Sequence, residues 1–469
     1  MKFFPPIALF ALPLALGAAT RPAEWADLHI RAGKGDAAAQ AELGAAYGTG
    51  AGVTADKTQA LQWFQRAAGQ HNALAQYSLG VMFEHGDGVP RDLAAAARWY
   101  RLAADQGFAA AQFNLGAMYA GGLGVKEDAT EAVHWYRLAA AQGDADAQYN
   151  LGAMYGNATG VPRDSAEALR WFRQAAAQGK VVAYFSIGEI YWRGDSVPTD
   201  RTEAAKWYLL AAARGHLGAQ RRLGEMYARG DGVPQNGAEA MRWWRLAADQ
   251  GDGIAQYNLG AIHARGDGVP RNLAEALRWY RLAAAQDIPE AQASLGLMYA
   301  QGEGVPKDSA EAVRWYRLAA AQDLAEAETS LGLMYAQGAG VPPDLREAAE
   351  WYRKAAEQGF ARAQHNLGVM YTFGRGVPPD GLQALQYYRA AAAQGFVPSM
   401  QNLGIAYLNG PGPARDLVQA HAWLDAASRL GSTAAKDLLA SVRGQMSGGQ
   451  VAAAEKQTRE FLAQLSPKR

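Results

Sequence analysis

Histidines and carboxylates are the side chains of this sequence that could carry out acid–base chemistry or hold a metal ion. The eight histidines show no metal-binding spacing such as H-E-x-x-H, and no two recur at equivalent places along the chain. They are His29, His71, His85, His134, His216, His263, His365 and His421. We therefore expect each histidine at the surface or at a helix end. We predict no catalytic residues and no metal site.

Carboxylates and glycine-rich loops recur too regularly to form one reaction centre. Pairs such as Asp164 and Glu167 return in most parts of the chain, which favours helix capping over a single acid/base pair. Loops such as residues 86–90, Gly-Asp-Gly-Val-Pro, lack the Lys-Ser/Thr of a phosphate-binding loop. The sequence therefore predicts that the protein is not an enzyme and binds no cofactor.

The elements that would position any site follow from a strict repeat. A Leu-Gly pair returns every 36 residues without an insertion or deletion. An aromatic pair such as Trp135-Tyr136 follows by 20 residues in every unit but the last, which has Trp423-Leu424. The first residues of the Leu-Gly pairs are Leu43, Leu79, Leu115, Leu151, Ile187, Leu223, Leu259, Leu295, Leu331, Leu367 and Leu403. These eleven units in register predict a solenoid, a class that usually binds other molecules rather than transforming them.

Each unit is predicted to form two helices, which we call the Leu-Gly helix and the aromatic helix. Ala147, Leu151 and Met154 fall on one apolar stripe of helical period in the first. The glycine after each Leu lowers helix propensity by about 1 kcal/mol, which implies close approach of another helix backbone. Substitution of Gly152 by Leu is therefore predicted to force neighbouring repeats apart.

The aromatic helix is predicted to begin with a capping box. Asp164 would accept hydrogen bonds from the first free N–H groups, and Glu167 would reach back to the cap residue. The loop before it, as in residues 266–270, contains glycines that tolerate positive φ and a proline that holds its predecessor extended. These signals separate the two helices of each unit.

The repeat pattern resembles a known family. Its form is A-x-A-Q-x-x-L-G-x-M-Y-x-x-G-x-G-V-P-x-D-x-x-E-A-x-x-W-Y-R-x-A-A-x-Q-G, which is similar to the Sel1-like repeat, a relative of the tetratricopeptide repeat. The resemblance covers residues 23–430 and implies an all-α fold, a right-handed α/α superhelical solenoid of eleven 36-residue repeats. It also implies an adaptor or scaffold. The chain contains no cysteine, so it does not resemble the disulfide-rich branch of the family.

Four segments are predicted. Residues 1–19 are a signal peptide with Lys2, an apolar run at residues 7–16 and small residues before cleavage after Ala19, so we expect a periplasmic or secreted protein with no membrane span after cleavage. An uncleaved N-terminal anchor is the alternative. Residues 20–32 form an N-terminal capping half-repeat, residues 33–430 the eleven repeats, and residues 431–469 C-terminal capping helices. The tail could instead be a docking segment.

A candidate partner-binding groove follows from the helical wheel of the Leu-Gly helix. Positions −5, −2, +2 and +5 relative to its Leu lie opposite the core, and in related tetratricopeptide repeats this face lines the concave groove that holds a peptide. The predicted groove contains aromatic rings at position −2, asparagines at position −1, one tryptophan and one arginine. Aromatic rings supply contact area, and asparagine side chains can hydrogen-bond an extended backbone. Its residues are Tyr77, Phe113, Asn114, Tyr149, Asn150, Phe185, Trp192, Arg221, Tyr257 and Asn258. The alternative is that the rings only pad the contact between repeats.

Partner chemistry stays open at the level of sequence. Lys+Arg and Asp+Glu both number 45, which argues against a nucleic-acid partner. The favoured partner is a protein or peptide segment in the groove, and the runner-up is a cell-wall or exopolysaccharide component, bound or, less readily, hydrolysed. Arg193, Arg229 and Arg265 could grip acidic groups or saccharide, or could form a solvated rim.

Overall fold

The computed structural model describes residues 22–194, 197–409 and 414–465, which contain 25 α-helices and no strand. The predicted all-α class is confirmed. The predicted signal peptide, residues 1–19, lies outside the described residues. No helix among the described residues has the length and apolar character needed to cross a membrane.

Helices α1 to α12 belong to the first of two compact units into which the chain divides, Met1–Gln235. Leu-Gly helices and aromatic helices alternate after α1. The bounds are α1 Pro22–Gly33, α2 Ala37–Thr49, α3 Lys57–Ala68, α4 Ala73–His85, α5 Leu93–Asp105, α6 Ala109–Gly121, α7 Ala129–Ala141, α8 Ala145–Asn157, α9 Ser165–Ala177, α10 Val181–Arg193, α11 Arg201–Ala212 and α12 Leu217–Arg229.

Helices α13 to α25 form the second unit, Asn236–Arg469. The bounds are α13 Gly237–Asp249, α14 Gly253–Arg265, α15 Leu273–Ala284, α16 Pro289–Gln301, α17 Ser309–Ala320, α18 Ala325–Gln337, α19 Leu345–Glu357, α20 Ala361–Phe373, α21 Gly381–Ala392, α22 Val397–Asn409, α23 Leu417–Arg429, α24 Thr433–Arg443 and α25 Gly448–Leu465. The last two helices both pack on α23, where the rings of Trp423 and Phe461 stack with centroids 3.9 Å apart.

The glycine after each core Leu explains how the two helices of a repeat approach. Leu151 is fully buried, and a Cβ on Gly152 would lie 2.8 Å from the Phe172 ring and 3.2 Å from the Ala168 carbonyl oxygen. Both contacts belong to α9, the aromatic helix of the same repeat. The predicted close approach is therefore present. It joins the two helices of one repeat, so the expectation that Gly152→Leu separates neighbouring repeats named the wrong pair.

The helix starts are only partly those predicted. Asp164 accepts hydrogen bonds from the backbone N–H groups of Ala166 and Glu167, both at 3.0 Å, as expected of an N-cap. Glu167 does not complete a capping box, because its carboxylate accepts from the indole N–H of Trp171 at 3.1 Å. The N–H of Asp164 instead donates to the carbonyl of Tyr155. This carboxylate therefore fixes the tryptophan ring of its own helix.

Candidate functional site

The aromatic rings at position −2 of the predicted groove are packed more deeply than the helical wheel predicts. Tyr77 and Phe113 are only 4% and 5% exposed, while Tyr149, Phe185 and Tyr257 are half-buried. The prediction that position −2 lies opposite the core is wrong for the two buried rings. Whether the half-buried rings contact a partner stays a prediction.

Contacts of the rings give the physical reason. Each ring packs on an aromatic residue of its own repeat's aromatic helix, with centroids 5.5 to 5.9 Å apart; the pairs are Tyr77–Tyr100, Phe113–Tyr136, Tyr149–Phe172, Phe185–Tyr208 and Tyr257–Tyr280. Phe185 also stacks on His216, the residue that caps the next Leu-Gly helix, at 4.5 Å. A ring at −2 thus fills the space between the two helices of its repeat and the start of the next.

The predicted asparagines are also engaged within the protein. Asn114 is 6% exposed, and its amide acts against the rise that burial causes in the pKa of the Tyr77 and Tyr100 hydroxyls. Burial raises the pKa of the Tyr136 hydroxyl, against which a hydrogen bond with Asn150 acts. Asn258 is half-buried. The burial of Asn114 and the partial burial of Asn150 and Asn258 reduce the capacity of these side chains to grip an extended backbone.

Trp192 and Arg221, the remaining residues of the predicted groove, lie on α10 and α12 beside other arginines. Trp192 is half-buried at the end of α10, and the guanidinium carbons of Arg201 and Arg222 lie 4.9 and 5.4 Å from its ring centroid. These are cation–π distances. Arg221 lies beside Arg222 on α12 and is half-buried.

A network of hydrogen-bonded charges lies beneath Trp192. Glu189 accepts from the Tyr208 hydroxyl at 2.7 Å, from Arg222 at 3.2 Å and from Arg193 at 2.9 Å. Arg222 also donates to Glu225 at 3.1 Å. Burial, followed by the charge of Glu189, raises the pKa of Tyr208, so this hydroxyl stays protonated as a donor. The network holds the Arg222 guanidinium in one position.

These charged side chains stand at positions that are uncharged in most repeats. Nearly all other Leu-Gly helices carry Asn or Ser at the position of Arg222, as at Asn114 and Ser294, and the position shared by Glu189 and Glu225 is otherwise apolar, as at Ala117 and Leu297. The repeat folds with either type. The sequence analysis did not single out Glu189, Arg222 and Glu225, because it selected positions at which one residue type recurs from repeat to repeat. These three residues differ from the type that most repeats carry at their positions.

A cavity of about 320 Å³ opens between α20, α21 and α22 in the second unit. Phe373, which is 65% exposed, and Ile405 supply apolar lining, and Thr372, Tyr388 and Asn402 supply polar groups. Thr372 and Tyr388 hydroxyls are 3.0 Å apart. The sequence did not indicate this cavity because its walls come from three helices.

Histidines do not gather with carboxylates. No group of three or more His, Asp or Glu side chains suited to a metal ion occurs within residues 22–194, 197–409 and 414–465. His85 and His134 are exposed as expected, and His216 caps a helix. His421 is only 2% exposed, so the expectation of a surface or helix-end position is wrong for it.

Comparison with known proteins identifies similar chains. The family model described as the Sel1 repeat matches eleven segments; these are residues 37–72, 73–108, 109–144, 145–180, 181–216, 218–252, 253–288, 289–324, 325–360, 361–396 and 397–432. The repeats had been predicted at residues 33–430, and the matched range begins four residues later and ends two later. No curated protein matches the sequence.

Two solved structures are similar over much of the chain. One is c5321, a protective antigen that is present in uropathogenic Escherichia coli strains and displays an SLR fold. It is 38% identical to this chain, the alignment covers 94% of this chain and 95% of that chain, and the TM-score is 0.84. The other is a Sel1 repeat protein from Oxalobacter formigenes, 36% identical over 66% of this chain and 90% of that chain, with a TM-score of 0.56.

Proposed function

Because this chain belongs to the Sel1 repeat family, we propose that it is an exported scaffold that binds a segment of a partner protein along the exposed faces of its Leu-Gly helices. The resemblance drawn from the repeat pattern is confirmed, as is the all-α fold of eleven repeats. Sel1 repeats generally mediate protein–protein interaction and form a non-catalytic scaffold.

The main support for this proposal is that residue types are constant at core positions of the Leu-Gly helices and variable on their exposed face. Core positions keep one residue type along the array, as Leu151, Leu223 and Leu259 do, whereas the exposed face changes from repeat to repeat. On that face Trp192 and Arg222 stand where several other repeats hold Ala and Asn, as at Ala120 and Asn114. Since the fold accepts the smaller residues, the larger ones point to a role outside packing.

Export is supported by the character of residues 1–19, with one lysine, an apolar run and small residues at Ala18 and Ala19. The similar Escherichia coli protein is a protective antigen, which is consistent with a location outside the cytoplasm for a chain of this type. We expect the mature protein in the periplasm or the medium, beginning at Thr20. N-terminal sequencing of the protein from those fractions tests this directly, and an N-terminus at Met1 would contradict it.

A protein partner is favoured over a polysaccharide by the surroundings of Trp192. A ring that stacks on a sugar needs an open face, whereas Arg201 and Arg222 both lie against this ring. Binding of a cell-wall or exopolysaccharide component in place of a protein would therefore contradict this choice of partner.

Site-specific photo-crosslinking in the native envelope tests the function. A photoreactive residue replaces Ser186, which lies on the Leu-Gly helix α10, or Lys206, an exposed residue of the aromatic helix α11. We expect protein adducts from position 186 and few from position 206. Adducts equally frequent at both positions, or glycan-array binding with no protein adduct, would contradict the proposal.

A further inference from the structure

Helix α12 is unusually basic for a Leu-Gly helix. It carries Arg221, Arg222 and Arg229, whereas every other Leu-Gly helix carries at most one Arg or Lys. Together with α10, which contributes Arg193, it presents four guanidinium groups and only two carboxylates, those of Glu189 and Glu225. At 100° per residue, all six side chains fall on the same broad face of their helices.

The carboxylates of this face are already bound. Glu189 accepts from Tyr208, Arg222 and Arg193, and Glu225 accepts from Arg222. A guanidinium has five N–H donors, and Arg222 uses one toward each of the two carboxylates. Its side chain is 30% exposed, so donors remain that a ligand can reach.

Arg229 adds a guanidinium that is not neutralised. It lies at the exposed end of α12 and makes no ion pair with the described part of the chain. Arg193, with its side chain 62% exposed, stands at the same position of α10. The face therefore has positive charge in excess beside the Trp192 ring.

Resting on the proposed function, we propose that α10 and α12 form an anchoring site for an acidic side chain of the bound protein segment. Arg222, held in place by Glu189 and Glu225, and Arg229 donate to the carboxylate, because guanidinium groups bind carboxylates through paired, charge-assisted hydrogen bonds. The Trp192 ring, whose centroid lies 5.4 Å from the Arg222 guanidinium carbon, helps to hold that side chain in place. Charge complementarity selects this occupant.

Other anions fit less well. On this face Arg193 and Arg222 are ion-paired with Glu189 and Glu225, and the Arg229 guanidinium makes no ion pair with the described residues, which suits a single carboxylate rather than a polyanion. A C-terminal carboxylate shares the chemistry of an acidic side chain, and the test separates the two.

Fluorescence anisotropy with labelled, C-terminally amidated peptides tests the site in the mature full-length protein. The probes are short peptides of alternating Glu and Ala, with Gln–Ala and Lys–Ala versions for comparison and a Gln–Ala version with a free C-terminus. We expect the Glu–Ala peptide alone to bind, with affinity that falls as salt rises. Equal binding of the Gln–Ala or Lys–Ala peptide would overturn the proposal, as would no binding of any peptide; preference for the free C-terminus would overturn the choice of an acidic side chain.

Arg229→Gln is the main variant because the side chain is exposed and Gln occupies the same position at Gln301 and Gln337. Arg222→Asn introduces the residue found at Asn114, as a second variant. We expect each to weaken Glu–Ala binding about tenfold. Arg314→Gln removes the same charge from an exposed side chain of the aromatic helix α17 and should leave binding unchanged. An equal loss in Arg314→Gln would show that the effect is general charge.

The photoreactive residue at position 186 separates this proposal from the proposed function. If wild-type adducts form and persist undiminished in Arg229→Gln and Arg222→Asn, the acidic anchor is wrong and the scaffold function stands. If no adducts form in the wild-type protein, the scaffold function itself is wrong.

Discussion

Gly152 and Gly156 share helix α8 but have opposite surroundings. A Cβ on Gly152 would lie 2.8 Å from Phe172, whereas a Cβ on Gly156 would meet only the Ala168 Cβ at 3.9 Å. We predict that Gly152→Ala lowers the free energy of unfolding by about 1–3 kcal/mol through overpacking. Gly156→Ala should raise it by up to about 1 kcal/mol, because alanine favours the helix. Urea unfolding followed by circular dichroism measures both, and shifts in the same direction would contradict the packing account.

Glu328 interrupts a row of buried glutamines. It is 1% exposed and accepts from the Gln358 amide at 2.8 Å, where Gln148 and Gln364 accept the same bond in their repeats. Desolvation by burial raises the pKa of Glu328 above its usual 4.5, so the folded protein holds this proton more tightly than the unfolded chain. Its favourable contribution is therefore present below pH 4.5 and is lost as the pH rises through the folded-state pKa.

We predict that Glu328→Gln stabilises the protein at pH 7 and that this advantage shrinks as the pH falls toward 4.5. The amide cannot ionise and retains the acceptor for Gln358. Thermal unfolding across this pH range measures the difference. The control is Glu326→Gln, an exposed residue of the same helix, which should show little effect. A stabilisation that grows on acidification would contradict the assignment.

At the scale of single residues, the sequence predicted which positions make close helix contacts better than it predicted the environment of each side chain. Leu151 and Gly152 were correctly placed at a close contact. The side-chain environments of Tyr77 and Asn114 were not, because a helical wheel with one core residue at its origin assumes that one side of the helix is covered. A Leu-Gly helix is covered by its aromatic helix and also by the next repeat, so rings at −2 are enclosed.

At the scale of helices, the caps can be tested separately from the packing. Asp164 caps α9 by accepting from two backbone N–H groups. We predict that Asp164→Ala costs about 1 kcal/mol and increases hydrogen exchange in the first turn of α9. Asp164→Asn should be nearly neutral, since Asn236 and Asn272 cap α13 and α15. Unchanged exchange in the alanine variant would show that the cap contributes nothing there.

Helix positions were predictable because each unit repeats the same signals. These are an apolar stripe of helical period within each helix, glycines in the loop between the two helices and a capping residue that begins the aromatic helix. The role of Glu167 was not predictable, since two N–H donors, the Trp171 indole and the cap residue, compete for that carboxylate. It binds the Trp171 indole rather than the cap N–H, which Tyr155 already satisfies. Local sequence patterns do not reveal which partner a long side chain reaches.

At the scale of the whole molecule, the array needs ends that cover its apolar interior. In the second unit α25 packs on α23 through Phe461 stacked on Trp423 and through Thr458, which is fully buried. We predict that Phe461→Ala lowers stability by about 1–3 kcal/mol and increases hydrogen exchange in α23 first. Lys456→Ala, on an exposed part of the same helix, is the control and should change neither. Equal effects of the two substitutions would contradict a capping role for α25.

Fold and partner binding reside in different side chains of the same helices. The most direct measurement uses one variant in which the α10 and α12 faces take residues found elsewhere in the array: Glu189→Ala, Trp192→Ala, Arg222→Asn and Glu225→Ala. We predict helical circular dichroism and an unfolding midpoint close to those of the wild-type protein, with loss of partner adducts from position 186. Undiminished adducts in the folded variant would contradict the claim, and so would failure of the variant to fold.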